Sequence, residues 1–209
     1  MKTNVYIDGF NLYYGCIKNS PYHWLNIYKL AQVLLPQHEI QTVKYFTARI
    51  KSRPQDPDQS LRQNTYLRAL ATLPQVSTIF GHFLTHKKTM YLVNPTPDNK
   101  YALVYNTEEK GSDVNLATHL LHDAHRHEYE FAVVISNDSD LVEPIRLIIR
   151  DLELRVGVYN PQAKSKHPSV QLENTATFFK NIRPSHLEQS LFPDTLSDKK
   201  GTFTKPTSW

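Results

Sequence analysis

The chemistry available to this chain is concentrated in four aspartates. Asp8 closes the β-rich run Asn4-Val5-Tyr6-Ile7, and Asp138 and Asp140 follow the apolar run Phe131-Ala132-Val133-Val134-Ile135. A short apolar run bounded this sharply predicts a central strand buried on both faces. Asp113 stands at the start of a helix predicted over Val114–Arg126, the element before that strand. If the strands ending at Asp8 and before Asp138 are neighbours, all four carboxylates converge on one edge of a sheet. Carboxylates a few ångströms apart resist ionising together, so a protein that gathers them usually has a cation to offset the repulsion. An all-oxygen set without a cysteine cluster suits Mg²⁺ or Mn²⁺ better than Zn²⁺. Such ions activate water and stabilise in-line displacement at phosphorus.

Each candidate also has a structural reading. Asp140, followed by Glu143, fits a helix N-cap as well as it fits a metal site. Asp113 can favour the N-terminus of its helix through the dipole. Asp8, beside Gly9, and Asp138 have less structural reason to be there. Asn11 either bonds a turn backbone or orients a water or a phosphate. Lys110 is either a solvated charge or a phosphate ligand, and no G-x-x-x-x-G-K-[ST] spacing accompanies Gly111. His119, His122, His125 and His127 lack a matching pair of ligands elsewhere, so they read as a solvated helix face. Tyr6, Phe10, Tyr13 and Tyr14 are core aromatics or a surface on which bases stack.

Strands are predicted at Asn4–Ile7, Val43–Ile50, Val76–Leu84, Phe131–Ile135, Leu154–Tyr159 and Ala176–Ile182, separated by helical patterns. Leu141, Ile145, Ile148 and Leu152 mark the apolar stripe of one helix. A first helical region runs from Leu12 to Leu35 with a break at Ser20-Pro21. Asp56, Pro57 and Gln59 predict the N-cap, first turn and capping box of a helix reaching Leu73. Met90–Val93 and Tyr101–Tyr105, around a turn-rich segment, predict a β-hairpin excursion beside the main sheet. Glu108–Asp113 reads as a polar loop. The pattern is α/β with a mostly parallel sheet, whose functional crevice lies outside the carboxyl ends of the strands.

The chain has 209 residues and 40% hydrophobic content, enough for one good core. Its net charge of +4 permits a polyanionic partner without demanding one. The lone Cys16 excludes an internal disulfide and fits a reducing cytoplasm. Met1-Lys2-Thr3 leads straight into a strand, so no signal peptide is expected. No apolar run approaches the roughly 18 residues of a membrane span. The domain is expected over 1–192 and a polar C-terminal tail over 193–209, mobile from Pro206 unless Trp209 docks.

Three motifs carry a resemblance. Tyr6-Ile7-Asp8-Gly9-Phe10-Asn11-Leu12-Tyr13-Tyr14, Glu109-Lys110-Gly111-Ser112-Asp113-Val114 and Ser136-Asn137-Asp138-Ser139-Asp140 resemble the motifs of NYN domains, the LabA-like branch of the PIN-like nuclease superfamily. The resemblance implies a Rossmann-like α/β/α sandwich and a metal-dependent ribonuclease site. By it, Asp8, Asp113 and Asp138 would hold Mg²⁺ or Mn²⁺, Asp140 would be a fourth acid, and Asn11 an active-site polar residue. Ser136 is expected at the substrate. Asn137 stands where Gly is frequent, a change the same turn tolerates.

The expected activity is endonucleolytic hydrolysis of RNA, leaving 5′-phosphate ends. Lys110, Arg49, Lys51, Arg53, Lys164 and Lys166 lie in predicted loops at strand ends and are candidates to guide the phosphate backbone. A homodimer or a partner protein is compatible with this reading. Two other classes compete: a non-catalytic RNA- or protein-binding module, and a phosphatase or nucleotide hydrolase with Asp138 as nucleophile.

Overall fold

The computed structural model describes residues 1–52, 54–162 and 167–209. After Lys2, every residue of strand β1 (Lys2–Asp8) is buried, because neighbours flank it on both sides and layers cover both faces. β1 pairs in parallel with β2 (Glu39–Ala48) on one side and with β5 (Phe131–Ile135) on the other. The remaining strands are β3 (Val76–Tyr91), β4 (Tyr101–Lys110), β6 (Arg155–Asn160) and β7 (Phe178–Asn181). The sheet order is β4-β3-β2-β1-β5-β6-β7, parallel except for the β3–β4 pair. Chain order reverses between β1 and β5, which makes that junction the topological switch point and places the crevice at their carboxyl ends.

Strand alternation divides the core in two. Val5, Ile7, Val133 and Ile135 face one layer, with Leu12, Leu30 of α2 (Ile27–Leu34), Leu70 of α3 (Gln59–Leu70) and Leu187 of α7 (Pro184–Glu188). Tyr6, Ala132 and Val134 face the other, with Leu116 of α4 (Ser112–His125), Ile145 of α5 (Val142–Asp151) and Leu172 of α6 (Val170–Thr175). This is the α/β/α sandwich expected from the sequence.

Several local expectations give way. The first helical region is short: α1 (Gly9–Leu12) passes into one π turn at Tyr13–Ile17 and stops. Asp56 does not cap α3. It pairs instead with Arg62, while Asp58 occupies the cap position without a side-chain bond. The hairpin is longer than its sequence signal. β3 runs parallel to β2 over Val76–Gly81, then continues past it and pairs antiparallel with β4 over His82–Tyr91. Glu108, Glu109 and Lys110 therefore lie in a strand rather than in a loop.

Residues 193–209 are docked. β8 (Thr195–Asp198) and β9 (Gly201–Thr204) form a hairpin, and Arg68 grips Asp198 with two bonds of 2.7 and 2.8 Å. Trp24 donates its indole N–H to the Pro193 carbonyl. Trp209 packs at 6.2 Å from Trp24 and stacks on His23 at 5.4 Å. No helix among the described residues is long and apolar enough to cross a membrane.

Candidate metal centre

Asp8 leaves the end of β1 where the chain turns into α1. One carboxylate oxygen accepts from the Asn11 amide at 2.9 Å and the other from the Ser136 hydroxyl at 3.0 Å. Asp8 is thus also the N-cap of α1, a structural role its sequence position did not suggest. Gly9 is required next, because a Cβ there would stand 2.6 Å from the Phe46 carbonyl.

Asp138 follows β5 and accepts from the Asp140 amide at 3.0 Å, capping a short 3₁₀ turn at Ser139–Leu141. The cap expected of Asp140 therefore belongs to Asp138. Pro144 in the first turn of α5 fits this arrangement, since the preceding 3₁₀ turn carries the entry. The Asp140 side chain is exposed. Asp113 comes from the first turn of α4.

Oxygens of Asp8, Asp113 and Asp138 lie within 4.8 Å of one another, and this is the one such group of three or more potential metal ligands among the described residues. The four histidines near the end of α4 form none. The donor set fits a hard divalent cation, being all oxygen and poor in compensating positive charge. The electrostatics agree: burial, followed by the Asp113 charge, pushes Asp8 up to about 6, although the Asn11 amide and the Ser136 hydroxyl oppose the shift. Asp113 is raised too, by burial and then by Asp138, Glu109 and Asp140.

The cleft over these acids measures about 310 Å³ and is lined by Asp8, Asn11, Asp113 and Asp138 with Phe10, Tyr14, Phe83, Glu109 and Ser112. The Asn11 side-chain carbonyl accepts from the Asn137 backbone amide at 3.1 Å, so Asn11 fixes a turn, and it also lines the cleft. Asn137 itself reaches across to the 167–169 loop, bonding the His167 carbonyl and the Ser169 amide.

Ser136 lies beneath the acids. It is fully buried, donates to Asp8 and accepts from the Asp138 amide at 3.1 Å, which gives it a positioning role toward the two acids. Lys110 points away from the cleft and pairs with Glu108 at 2.6 Å, because neighbouring residues of a strand face opposite sides. Its neighbour Glu109 faces in and accepts from the Ser112 amide and hydroxyl at 3.1 and 2.7 Å. The sequence reading did not single out Glu109 as a site residue, because a segment read as a polar loop carries no alternation to assign its side. Phe83 carried no signal of its own. Arg49 sits over the Phe80 ring and bonds Asn64. Lys51 is exposed. Arg53, Lys164 and Lys166 lie outside the described residues.

Comparison with known proteins gives three findings. The chain is 30% identical over 236 aligned positions to 6-hydroxy-3-succinoylpyridine 3-monooxygenase HspA of Pseudomonas putida (strain DSM 28022 / S16), covering all of this chain and 75% of the relative. A crystal structure of a protein of unknown function from Vibrio parahaemolyticus RIMD 2210633 superposes with a TM-score of 0.55 at 15% identity, over 91% of this chain and 96% of the other, which is a likeness of fold. The NYN domain model matches residues 2–182. That span contains each strand of the central sheet and each acid of the cluster, and the chain belongs to the NYN domain family.

Proposed function

We propose that this protein is a metal-dependent endoribonuclease. The observation that carries the reading is the convergence of Asp8, Asp113 and Asp138 within 4.8 Å at the switch point of an NYN fold. These residues would hold Mg²⁺ or Mn²⁺, which supplies charge for the scissile phosphate and a water of lowered pKa. The chain's own groups prepare the place. Ser136 ties Asp8 to the backbone of Asp138, fixing two acids relative to each other. Burial raises Asp8 to about 6, so a cation held beside it would favour its ionised form. Asn11, its carbonyl already engaged, keeps an amide N–H₂ for a phosphate oxygen or a water. Phe10 and Phe83 meet edge to face at 5.7 Å, a ring surface beside the acids on which a base can stack. Water adds to phosphorus as the P–O3′ bond breaks, and the departing 3′ oxygen takes a proton, leaving a 5′-phosphate end.

The test is cleavage of RNA by the purified protein in Mn²⁺, with the new ends sequenced. Asp8→Asn, Asp113→Asn and Asp138→Asn should each nearly abolish cutting, and combining them should cost little more, because groups acting as a unit are non-additive. Losses that multiply independently would speak against a shared ion.

A second reading is favoured by one observation, the match of the whole chain to a protein named as a monooxygenase of a hydroxypyridine. Under it, the protein would oxygenate a heteroaromatic acid. Oxygen uptake with 6-hydroxy-3-succinoylpyridine and a reduced nicotinamide, in a preparation that leaves RNA uncut in Mn²⁺, would establish this reading in place of the first.

A further inference from the structure

A second cavity, of about 350 Å³, lies behind Phe10 and Tyr14, which line it and the carboxylate cleft alike. Protein interiors close to near-crystalline density and leave few voids larger than a water, whereas this volume falls in the range of small-molecule sites, roughly 300 to 1,000 Å³. Its walls include five rings, Tyr13, His23, Tyr45, Tyr66 and Trp209, beside the aliphatic Leu12, Ile17, Leu25 and Ile50. The rings are held in place independently of any ligand. Tyr66 donates its hydroxyl to the Leu25 carbonyl at 2.8 Å, His23 stacks on Trp209, and Tyr45 is nearly buried, packed under Gly9.

Polar groups stand among these rings. Arg62 and Asp56 form an ion pair. Gln63 is consumed by the Ala48 carbonyl and the Ile50 amide, but the Gln59 side chain makes no hydrogen bond among the described residues, which leaves it for the edge of a ligand. Rigid aromatic faces with a few polar groups suit a flat, heteroatom-bearing ring: the faces take stacking and the polar groups take its edge. The cavity also differs from the acid cluster in origin, because Trp209 and Ser208 come from beyond the residues 2–182 that match the family.

We infer that this cavity is a receptor for a planar heteroaromatic ring, and specifically for a nucleobase of the strand whose phosphate lies at the carboxylates. The base assignment rests on the ribonuclease reading. The ring assignment rests on the cavity alone, and a free heteroaromatic acid is the other source of the same chemistry. α1 and its π turn separate the two spaces, so a nucleotide chain passing over Phe10 and the exposed Tyr14 would place a base on one side and a phosphate on the other.

The experiment measures binding with the cleavage-deficient Asp138→Asn protein in EDTA, so that affinity is read apart from chemistry. The probes are adenosine and uridine 5′-monophosphates, pyridine-3-carboxylate, and a short RNA with and without one abasic position. At least one ring-bearing probe should bind, and Trp209→Ala should weaken it about tenfold, the weight of one lost stack. Gln59→Trp, which blocks the cavity while leaving the core residues in place, should do the same and guards against a folding failure of the first variant. Leu61→Ala, on the exposed surface of α3, should change nothing.

Loss of affinity on removing one base from the RNA supports the nucleobase. Binding of pyridine-3-carboxylate without binding of nucleotides overturns the nucleobase and leaves the free acid. Absence of binding by every probe, or equal binding by Gln59→Trp and the parent, overturns the cavity as a ring site even if wild type cuts RNA. Ring binding by a wild type that cuts no RNA overturns the ribonuclease reading and keeps the receptor for free rings.

Discussion

Two spaces meet at Phe10 and Tyr14, and they are made in opposite ways. The carboxylate cleft is built at backbone termini: the ends of β1 and β5 and the first turn of α4 each deliver one acid, and hydrogen bonds from Asn11, Ser136 and Asp140 set the orientation of two of them. The aromatic cavity is built from side chains on the π turn, β2, α3 and the last residue of the chain, and packing sets their orientation. Each space is therefore vulnerable in its own way. The cleft stores electrostatic repulsion, which pH and cations can release. The cavity stores no comparable charge and depends on rings keeping their places.

The sharpest way to separate the two is acidity. Asp8 lies at about 6 in the fold against an ordinary value of 3.8. Because the folded-state value is raised, its contribution to stability is fully present below 3.8 and is lost as pH rises through 6. The difference corresponds to about 3 kcal/mol at one pK unit per 1.36 kcal/mol. The elevated Asp113 acts in the same direction. His23, in the cavity wall, is lowered by burial and by Arg62, and so loses stability as pH falls instead. Urea midpoints of metal-free wild type minus those of Asp8→Asn, taken from pH 4 to pH 7, cancel the histidine part. The difference should fall steadily across that window, and a flat difference would deny the cleft its stored repulsion.

Cations should act on the cleft alone. An ion that binds the folded arrangement and hardly binds the unfolded chain adds about 2.7 kcal/mol at a hundred times its dissociation constant. In EDTA, Asp138→Asn should melt above wild type, since Asn keeps the cap on the 3₁₀ turn and removes one repelling charge. In Mn²⁺ the order should invert. Trp209→Ala should shift equally in both buffers; an unequal shift would couple the two spaces more tightly than one shared wall suggests.

The smallest expected effect concerns Asp140. Its side chain is exposed and caps nothing, since Asp138 accepts from its amide. Asp140→Asn should therefore change stability by less than about 0.5 kcal/mol, as ordinary surface substitutions do. Its charge reaches Asp113, so a modest weakening of Mn²⁺ affinity in a calorimetric titration is expected. A loss of stability near 1 kcal/mol would return it to the role of a helix cap.

In the sequence by itself, the layered α/β plan, Asp8 and Asp138 were legible from local rules: an apolar run followed by a carboxylate is contiguous in the chain, and a parallel sheet places such run ends on one edge. Asp113, at the start of a helix, was legible from its motif. The sequence also carried the family, in three motifs that each lie within one turn or strand end. Tertiary structure decided what depends on register and on distant partners. Glu109 rather than Lys110 faces the cleft because β4 pairs with the far half of β3 in one register, and alternation then assigns their sides. Asp138 rather than Asp140 caps the turn because the 3₁₀ entry shifts the start of α5. Ser136 is buried where β5 ends beside β1, and its hydroxyl joins two acids 130 residues apart in the chain. The aromatic cavity needed more still. Trp209 meets His23, Trp24 and Tyr66 across nearly the whole length of the chain, and no local pattern records a contact made only when the last hairpin docks.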